Sequence, residues 1–448
     1  MVNVWVGNLF TSEIAGDPTK VSESVRRVGV ATAQLPVWLA KDFDVLVLPG
    51  KPDTDFVDYV TGLTGTDPAT LRIVIPPAGG AGPEMLTADR LADPDFRSEL
   101  RAVLAERPPE RISSLIPDSA VAALAADLGY ADAVAGHAFL SQGGGRLLNS
   151  KGAFRAVAAG AGVPIPEGGV VTTKDDAARL IAGLFADGRP AILKRDFAGG
   201  GEGNEIVTSA PLEHAHGAQR LCQLDGESSI AGYLDERWEW LTNGFRFPVV
   251  IEEYKPGSRA IFAEFQIGDT GPVYEENGEM FYLPLASSQI IPMQDMPRRA
   301  LAELVNAGTR LCQALHAMGY RGPVGADAIL TEGNEVLYTE ANGRFTGSTH
   351  LYKIIGRQVV GPAFGVTRVA VEYCDWVVPS FAEAEKRLTS SGLAYDPISR
   401  TGVVLVKAYC EVSGTVRYCV IADGRDTALE IRARVSALFD SSSRSVDD

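Results

Sequence analysis

Positive charge is scarce in this sequence. Its 448 residues include 41 lysines and arginines against 57 aspartates and glutamates, which gives a formal net charge of −16. Proteins that bind nucleic acids need basic surfaces to neutralise the phosphates, so this balance argues against a nucleic-acid partner. It also means that any polyphosphate ligand must be held by a local group of lysines, arginines and divalent cations that works against the overall charge.

Cysteines and long apolar runs are scarce as well. The chain has no C-x-x-C pair, which argues against a disulfide framework, and we expect its five cysteines to be reduced and buried: Cys222, Cys312, Cys374, Cys410 and Cys419. No apolar run approaches the roughly 18 residues of a membrane span. No basic segment followed by an apolar segment begins the sequence. These absences predict a cytoplasmic protein that does not associate with membranes.

The first quarter of the chain alternates short strands with helices. The predicted strands Val2–Gly7, Asp44–Pro49 and Leu71–Pro76 are separated by helical stretches, which predicts a small parallel α/β unit. The glycine-rich loop Gly79–Gly82 follows the third strand and is a candidate phosphate cradle. However, no G-x-G-x-x-G or G-x-x-x-x-G-K-[ST] motif accompanies it, so a nucleotide site here has little support.

The stretch Val324–Phe345 predicts a β-hairpin. A Gly-Asn dipeptide between two runs of β-forming residues favours a two-residue turn. With that turn, Asp327 lies opposite Glu340 and Asn342 shares their face. Two opposed carboxylates repel unless a cation lies between them, and together with an amide oxygen they suit Mg²⁺. From the hairpin alone, the alternative is a solvated sheet face whose acids spread apart in water.

A second informative stretch is Arg195–Val207, RDFAGGGEGNEIV, which directly follows Lys194. Glycines let backbone N–H groups approach a phosphate closely, and they let a loop open and close. Because Glu205–Thr208 has strand-forming residues, the segment predicts a strand–loop–strand lid and not a Rossmann loop, which would open a helix. Taken alone, a plain surface hairpin is the alternative.

The last part of the chain predicts mixed structure. We expect a helix at Pro362–Tyr373, then a compact α+β module, and a disordered tail at residues 441–448, SSSRSVDD. His316 and His350 are expected to be structural. For His350, which follows the candidate site loop, contact with substrate is the alternative.

Taken in order, the lysines, the glycine lid, the strand that ends in Glu-Glu-Tyr and the D…E-x-N-x-R hairpin resemble ATP-grasp ligases. The whole chain is most similar to the pheganomycin-type peptide ligases of actinomycetes. This resemblance implies an α/β plus α+β architecture, the ATP-grasp fold. It places a parallel α/β pre-ATP-grasp domain at residues 1–127, an ATP-grasp domain at 128–374 (lid lobe 163–256, metal-binding lobe 257–374) and a small C-terminal α+β module at 375–448.

The resemblance also implies roles for particular residues. Lys151 and Lys194 would hold the ATP α- and β-phosphates, and Arg344 would steady the transferred phosphoryl group. The implied catalytic residues are therefore Lys194 and Arg344. The rest of the implied ATP-binding set is Gly199, Gly200, Gly201, Gly203, Glu252, Glu253, Tyr254 and, as a further phosphate contact, Arg321. The implied metal ligands are Asp327, Glu340 and Asn342, which would hold two Mg²⁺ ions that Mn²⁺ can replace.

The sequence departs from the family pattern at two places. No acid follows Tyr254 where the family has its ribose contact, because Lys255–Ser258 occupies that interval. Glu264 comes later and is a candidate substitute, so the ribose contact stays open. Asp327 stands where some relatives have glutamate, which keeps the charge and shortens the reach.

The resemblance implies an ATP-dependent ligase that forms an amide bond through an acyl phosphate. Its substrates would be a guanidino-blocked, nonproteinogenic amino acid and the N-terminal amine of a peptide, in peptide-antibiotic biosynthesis. No nucleic-acid or membrane partner is implied, and a homodimer is compatible with the resemblance. A dipeptide-forming L-amino-acid ligase and a non-catalytic ATP-binding module are the alternatives.

Overall fold

The computed structural model describes residues 2–15, 18–212 and 215–439, so the predicted disordered tail lies outside the described residues. The described residues fall into two compact units. One is drawn from Met1–Gly143, Gln289–Gln294 and Phe345–Asp448, and the other from Gly144–Ser288 and Asp295–Arg344. No helix in the described ranges is long and apolar enough to cross a membrane. None of the five cysteines is in a disulfide; three are buried, while Cys222 and Cys374 are partly exposed.

The first unit begins with a parallel sheet whose strand order is β3-β2-β1-β4, as the alternation of strands and helices predicts. Its strands are β1 (Val2–Val6), β2 (Val45–Val47), β3 (Arg72–Val74) and β4 (Pro109–Ser114). Its helices are α1 (Ser12–Ala15), α2 (Glu23–Ala33), α3 (Pro36–Leu39), α4 (Thr54–Thr64), α5 (Ala88–Leu91), α6 (Pro94–Glu106), α7 (Ser119–Leu128) and α8 (His137–Leu140). Valines of the strands and leucines of α6 and α7 form one apolar core.

The second unit contains two sheets. Its helices are α9 (Gly144–Asn149), α10 (Lys151–Gly160), α11 (Lys174–Ala186), α12 (Glu227–Leu241) and α13 (Arg298–Ala317). One sheet has the order β5-β9-β6-β7-β8, formed by β5 (Gly168–Val171), β6 (Ala191–Arg195), β7 (Asn204–Thr208), β8 (Arg220–Gln223) and β9 (Val249–Glu253). The other is antiparallel and includes the run β14-β13-β10-β11, from β10 (Arg259–Gly268), β11 (Gly271–Tyr282), β13 (Gly322–Leu330) and β14 (Val336–Asn342). The strand β12 (Ala286–Ile291) precedes α13.

The first unit is completed by the last part of the chain. A π-helix spans Leu351–Val360, and the following elements are α14 (Phe364–Thr367), β15 (Val369–Val377), α15 (Phe381–Ser390), β16 (Gly402–Leu405), β17 (Thr415–Ala422) and α16 (Arg425–Ser436). The strands β15, β17 and β16 pair antiparallel in that order. The predicted helix at Pro362–Tyr373 is wrong: only α14 is helical, and its successor β15 is rich in valine and aromatic residues, which favour a strand.

The glycine-rich loop after β3 is organised by one buried arginine. Arg90 is 2% exposed, and its guanidinium donates hydrogen bonds of 2.5–2.9 Å to five main-chain carbonyls, those of Pro49, Pro76, Pro77, Pro83 and Met85. Within the loop, the Gly80 N–H donates to Asp89 Oδ2 at 2.8 Å and the Gly82 N–H to Gly79 O at 3.1 Å. Because these N–H groups are already used inside the protein, the geometry gives the phosphate-cradle hypothesis no support.

Replacing Arg90 with methionine should destabilise the first unit by about 3–5 kcal/mol, because several buried carbonyls lose their donor at once. The measurement is the free energy of unfolding in urea. Arg72→Met is the matched control, since Arg72 is exposed on β3. Equal stability of the two variants would show that the guanidinium does not hold this loop.

Candidate functional site

The hairpin β13–β14 brings the predicted acids face to face. Asp327 pairs with Glu340, and Gly325 pairs with Asn342, so the predicted register is confirmed at these positions. Paired residues of neighbouring strands point to the same side of a sheet, and side chains two residues apart share a face. Asp327, Glu340 and Asn342 therefore project from one face, and Gly325 leaves room between them.

The turn of this hairpin differs from the prediction. Leu330 pairs with Val336 and the Thr331 N–H donates to Glu335 O, so the loop has three residues, and Asn334 adopts a positive φ of 62°. The predicted two-residue turn is therefore wrong. A bulge compensates, because the register shifts between Asp327 and Ala328 and leaves Thr339 as an extra residue on β14.

The donor atoms of this face suit a hard divalent cation. Asn342 Nδ2 donates to Asp327 Oδ2 at 3.0 Å, while Asn342 Oδ1 is buried and has no hydrogen-bond partner within the described part of the chain. Burial raises the pKa of Asp327, and the charges of Glu340 and Glu264 raise it further. An unsatisfied amide oxygen beside a carboxyl group whose pKa is raised, that of Asp327, is the environment that Mg²⁺ would relieve. The described residues contain no group of three or more His, Cys, Asp or Glu side chains placed to hold a metal, so the third protein donor would be this amide oxygen.

Lys151 links the acids to the glycine loop. Its Nζ lies 3.1 Å from Glu340 Oε1 and donates to Ala198 O at 2.6 Å. Lys151 is the first residue of α10, and the start of this helix is fixed by Asp196, whose Oδ1 accepts from Ser150 Oγ and from the Gly152 N–H, both at 2.8 Å. Asp196 has this positioning role although nothing in its local sequence marks it.

A second group of charges surrounds Glu252. This carboxylate is 1% exposed, accepts from Arg155 Nη1 at 2.5 Å and forms an ion pair with Lys194 Nζ. Two cations on one carboxylate leave an excess of positive charge beside the glycine loop. Arg155 was not predicted. The available signal was its position four residues after Lys151, which places both side chains on one face of α10.

Glu253 and Tyr254, expected at the adenine edge, are engaged within the protein. Glu253 forms ion pairs with Lys255 (2.7 Å) and Arg189 (3.2 Å), and its N–H donates to Glu167 O at 2.8 Å. The Tyr254 N–H donates to Pro190 O at 2.8 Å. An adenine ring at this strand end would have to use other main-chain groups, and the role of both residues stays a prediction.

The glycine loop lies between two strands, as predicted. It connects β6 to β7, and both Gly200 (φ 63°) and Gly201 (φ 88°) adopt the left-handed conformation that side chains disfavour. A Cβ on Gly203 would come within 2.2 Å of the Ala198 Cβ. The backbone path of this loop thus requires glycine at several of its positions.

The two predicted arginines lie in different environments. Arg344 donates from Nη1 to Asn149 Oδ1, and burial lowers the pKa of Arg344 while the nearby charges of Glu340 and Asp327 oppose that shift. Arg321 instead donates to Asp269 Oδ1 at 3.2 Å and to His316 O at 3.0 Å. Arg344 thus belongs to the group around Asp327, while the phosphate contact predicted for Arg321 stays a prediction without a geometric argument.

Comparison with known proteins identifies the fold. Residues 33–130 match the family model of the pre-ATP-grasp domain, and residues 383–435 match that of the PGM1 C-terminal domain. No curated protein matches the chain. Among solved structures, N5-carboxyaminoimidazole ribonucleotide synthetase from Thermus thermophilus is 14% identical, with a TM-score of 0.56 over 98% of each chain.

Two further structures match at a similar level. The biotin carboxylase domain dimer of 2-oxoglutarate carboxylase from Hydrogenobacter thermophilus, in complex with MgADP, ADP and bicarbonate, is 15% identical, with a TM-score of 0.57 over 97% of this chain and 89% of that one. L-amino acid ligase from Bacillus licheniformis is 12% identical, with a TM-score of 0.52 over 97% and 96%. The chain therefore has the ATP-grasp fold.

The acid pair generates a prediction about stability without added metal. Folding raises the pKa of Asp327 above the ordinary value of 3.8 for an aspartate. Its carboxylate therefore lowers the free energy of unfolding as the pH rises above 3.8. In a chelator at pH 8, Asp327→Asn should therefore unfold at the same temperature as the wild type or at a higher one. Saturating Mg²⁺, at 100 times its Kd, should stabilise the wild type by about 2.7 kcal/mol and leave the variant unchanged.

Calorimetric melting with and without Mg²⁺ measures both effects. Glu332→Gln, in the exposed loop of the same hairpin, is the matched control and should respond to Mg²⁺ like the wild type. If Mg²⁺ does not change the melting temperature of the wild type, and Asp327→Asn melts at a lower temperature than the wild type, Asp327 is a structural residue.

The glycine loop generates a second prediction. Replacing Gly200 and Gly201 together with valine should weaken ATP binding much more than adenosine binding, because the loop can no longer approach phosphates. Titration with the two ligands measures the difference. Gly183→Val is the control, because Gly183 lies exposed on α11 with nothing within 4 Å of an added Cβ. Equal loss of both affinities would indicate misfolding instead of a lid.

Proposed function

We propose that this chain is an ATP-dependent carboxylate–amine ligase that releases ADP. The observation that carries the proposal is the pairing of Asp327 with Glu340 across the β13–β14 hairpin, with Lys151 bound to Glu340 and Asn342 bound to Asp327. A paired set of hard oxygen donors next to cationic side chains is the arrangement that ATP phosphates and Mg²⁺ require.

In the first step, an oxygen of the substrate carboxylate attacks the γ-phosphorus of ATP, the bond from that phosphorus to the β–γ bridging oxygen breaks, and ADP leaves. The product is an acyl phosphate. Lys151 and Lys194 neutralise the phosphates, and Arg344 stabilises the charge of the transferred group. Asp327, Glu340 and Asn342 would hold Mg²⁺, which neutralises phosphate charge and orients the phosphoryl group when bound.

In the second step, an amine attacks the acyl carbon, phosphate leaves and the amine loses a proton, which yields an amide. An acyl phosphate also reacts with water, so the intermediate must be kept from solvent. The loop at Gly199–Gly203 is suited to that task because its glycines allow a conformational change. The hydrogen bond from Lys151 Nζ to Ala198 O also connects the loop to a lysine proposed to bind the phosphates.

The proposed acid is a small amino-acid derivative whose α-nitrogen is part of a guanidino group, and the proposed amine is a peptide N-terminus. The sequence resemblance to pheganomycin-type ligases, and thus to peptide-antibiotic biosynthesis, supports this choice. A chemical reason supports it too. A free α-amine on the activated acid would compete as the nucleophile and give self-coupled products, whereas a guanidinium stays protonated and unreactive at pH 7.

A dipeptide-forming L-amino-acid ligase is the second candidate, favoured by the structural likeness to L-amino acid ligase from Bacillus licheniformis. The two functions differ in the acid that they accept. A non-catalytic ATP-binding module is a third reading, which the set Asp327, Glu340, Asn342 and Arg344 argues against, since every member needed for phosphoryl transfer is present.

The test is to measure ADP and phosphate release across a matrix of guanidino acids, free amino acids and peptides, with product masses. We expect release only when an acid and a free amine are both supplied, and no product when the peptide is N-acetylated. Faster coupling of two free amino acids than of a guanidino acid with a peptide would favour the dipeptide ligase. Release of ADP without an amine would indicate a kinase.

Two variants make this test specific to the hairpin. Glu340→Gln removes a charge that contributes roughly 4 kcal/mol at 4 Å and an effective dielectric of 20, so it should slow turnover by about a thousandfold. Glu332→Gln on the same hairpin should turn over like the wild type. Equal rates for the two variants would remove Glu340 from the catalytic site.

A further inference from the structure

The first unit contains a buried histidine with an unused ring nitrogen. His350, directly before the π-helix, is 4% exposed, and its Nε2 has no hydrogen-bond partner within the described ranges of the chain. An unsatisfied buried nitrogen is costly, so such a group in a native protein points to a role or a ligand. The ring of Trp38 packs against it, with the ring centroids 6.3 Å apart.

Two basic residues lie on the segments that Trp38 connects to this histidine. Trp38 Nε1 donates to Val406 O at 2.9 Å, and the Val406 N–H donates to Arg417 O at 2.9 Å, so Trp38 ties His350 to the segment that carries Lys407 and Arg417. Burial, followed by the charges of Arg417 and Lys407, lowers the pKa of His350 to about 3, which keeps its imidazole neutral. A neutral imidazole can donate one hydrogen bond from Nε2.

The charges of this group do not balance. Glu372 lies 3.9 Å from Arg417 Nη1 and accepts from Gln289 Nε2 at 2.6 Å, so it offsets the charge of Arg417. Lys407 has no ion-pair partner among the described residues, and burial and the charge of Arg417 lower the pKa of Lys407 to about 8. The group therefore carries about one uncompensated positive charge, which matches a carboxylate better than a doubly charged phosphate.

We propose that His350, Lys407 and Arg417 form a binding site for a substrate carboxylate, with Nε2 of His350 and the two cationic groups as hydrogen-bond donors. The inference rests on the proposed ligase function, which supplies two sources of that group: the acid substrate and the C-terminus of the peptide. It favours substrate contact by His350, the alternative to a structural role. One carboxylate, that of Glu372, acts on both Arg417 and Lys407, so it does not offset both positive charges.

The test is calorimetric binding without ATP, on the full chain. The probes are guanidinoacetate and triglycine, each compared with its neutral amide. We expect at least one carboxylate probe to bind more tightly than its amide, and Lys407→Met to weaken that probe roughly tenfold or more, because a charged hydrogen bond is lost. Lys386→Met is the matched control, since the Lys386 side chain is 77% exposed in the same unit, and it should bind like the wild type.

Variants of the histidine separate binding from packing. His350→Phe keeps a ring against Trp38 and removes the donor, so it should weaken the same probe. His350→Gln supplies an amide N–H donor and should restore part of the affinity. A structural role would make both variants unstable without a selective loss for carboxylates, and melting temperatures measured alongside distinguish the two cases.

The outcomes assign the source of the carboxylate and separate this site from the ligase proposal. Selective loss for triglycine assigns the site to the peptide, and selective loss for guanidinoacetate assigns it to the acid. If neither probe binds the wild type at millimolar concentration, or if Lys407→Met binds both unchanged, the site is overturned even when ADP release proceeds. Lys407-dependent binding without any ADP release would instead overturn the ligase and keep the site.

Discussion

The opposition of Asp327 and Glu340 is the constraint on which the site depends. Two carboxylates held on one sheet face repel each other. The pKa of Asp327 is raised by burial first and by the charge of Glu340 second. Lys151 offsets part of the repulsion at 3.1 Å from Glu340 Oε1. A divalent cation would offset the rest of the repulsion. The pair is therefore better suited to binding a metal ion than to stabilising the fold by packing.

Cationic side chains on neighbouring elements would let an acidic chain hold the polyphosphate of the proposed function. Lys151 and Arg155 lie four residues apart on α10, and Lys194 on β6 shares Glu252 with Arg155. Lys151 also binds the carbonyl of Ala198 at the edge of the glycine loop. The ammonium group of Lys151 therefore connects α10, the glycine loop and the β13–β14 hairpin. A displacement of one of these elements would change the contacts of this group with the other two.

The sequence correctly predicts that Asp327 and Glu340 face each other, but the two-residue turn on which that prediction depends is wrong. The expected turn was one residue too short, and the unexpected bulge at Thr339 restored the register at Glu340. No local signal marks that bulge. The resemblance implies a place at the adenine edge for Glu252, and that role stays a prediction. Only the tertiary structure reveals that Glu252 lies between Arg155 and Lys194. The parallel sheet and the position of the glycine loop between two strands follow from local patterns and are confirmed, while the role of the loop as a lid stays a prediction.

The most direct test of the account is the fate of the carboxylate oxygen. If the acid attacks the γ-phosphorus, an acid labelled with ¹⁸O in its carboxylate must transfer one labelled oxygen to each phosphate released during amide formation. Mass spectrometry of the phosphate after turnover with ATP, Mg²⁺ and the amine measures this transfer. The account predicts labelled phosphate from the wild type, and amide formation with unlabelled phosphate would contradict it.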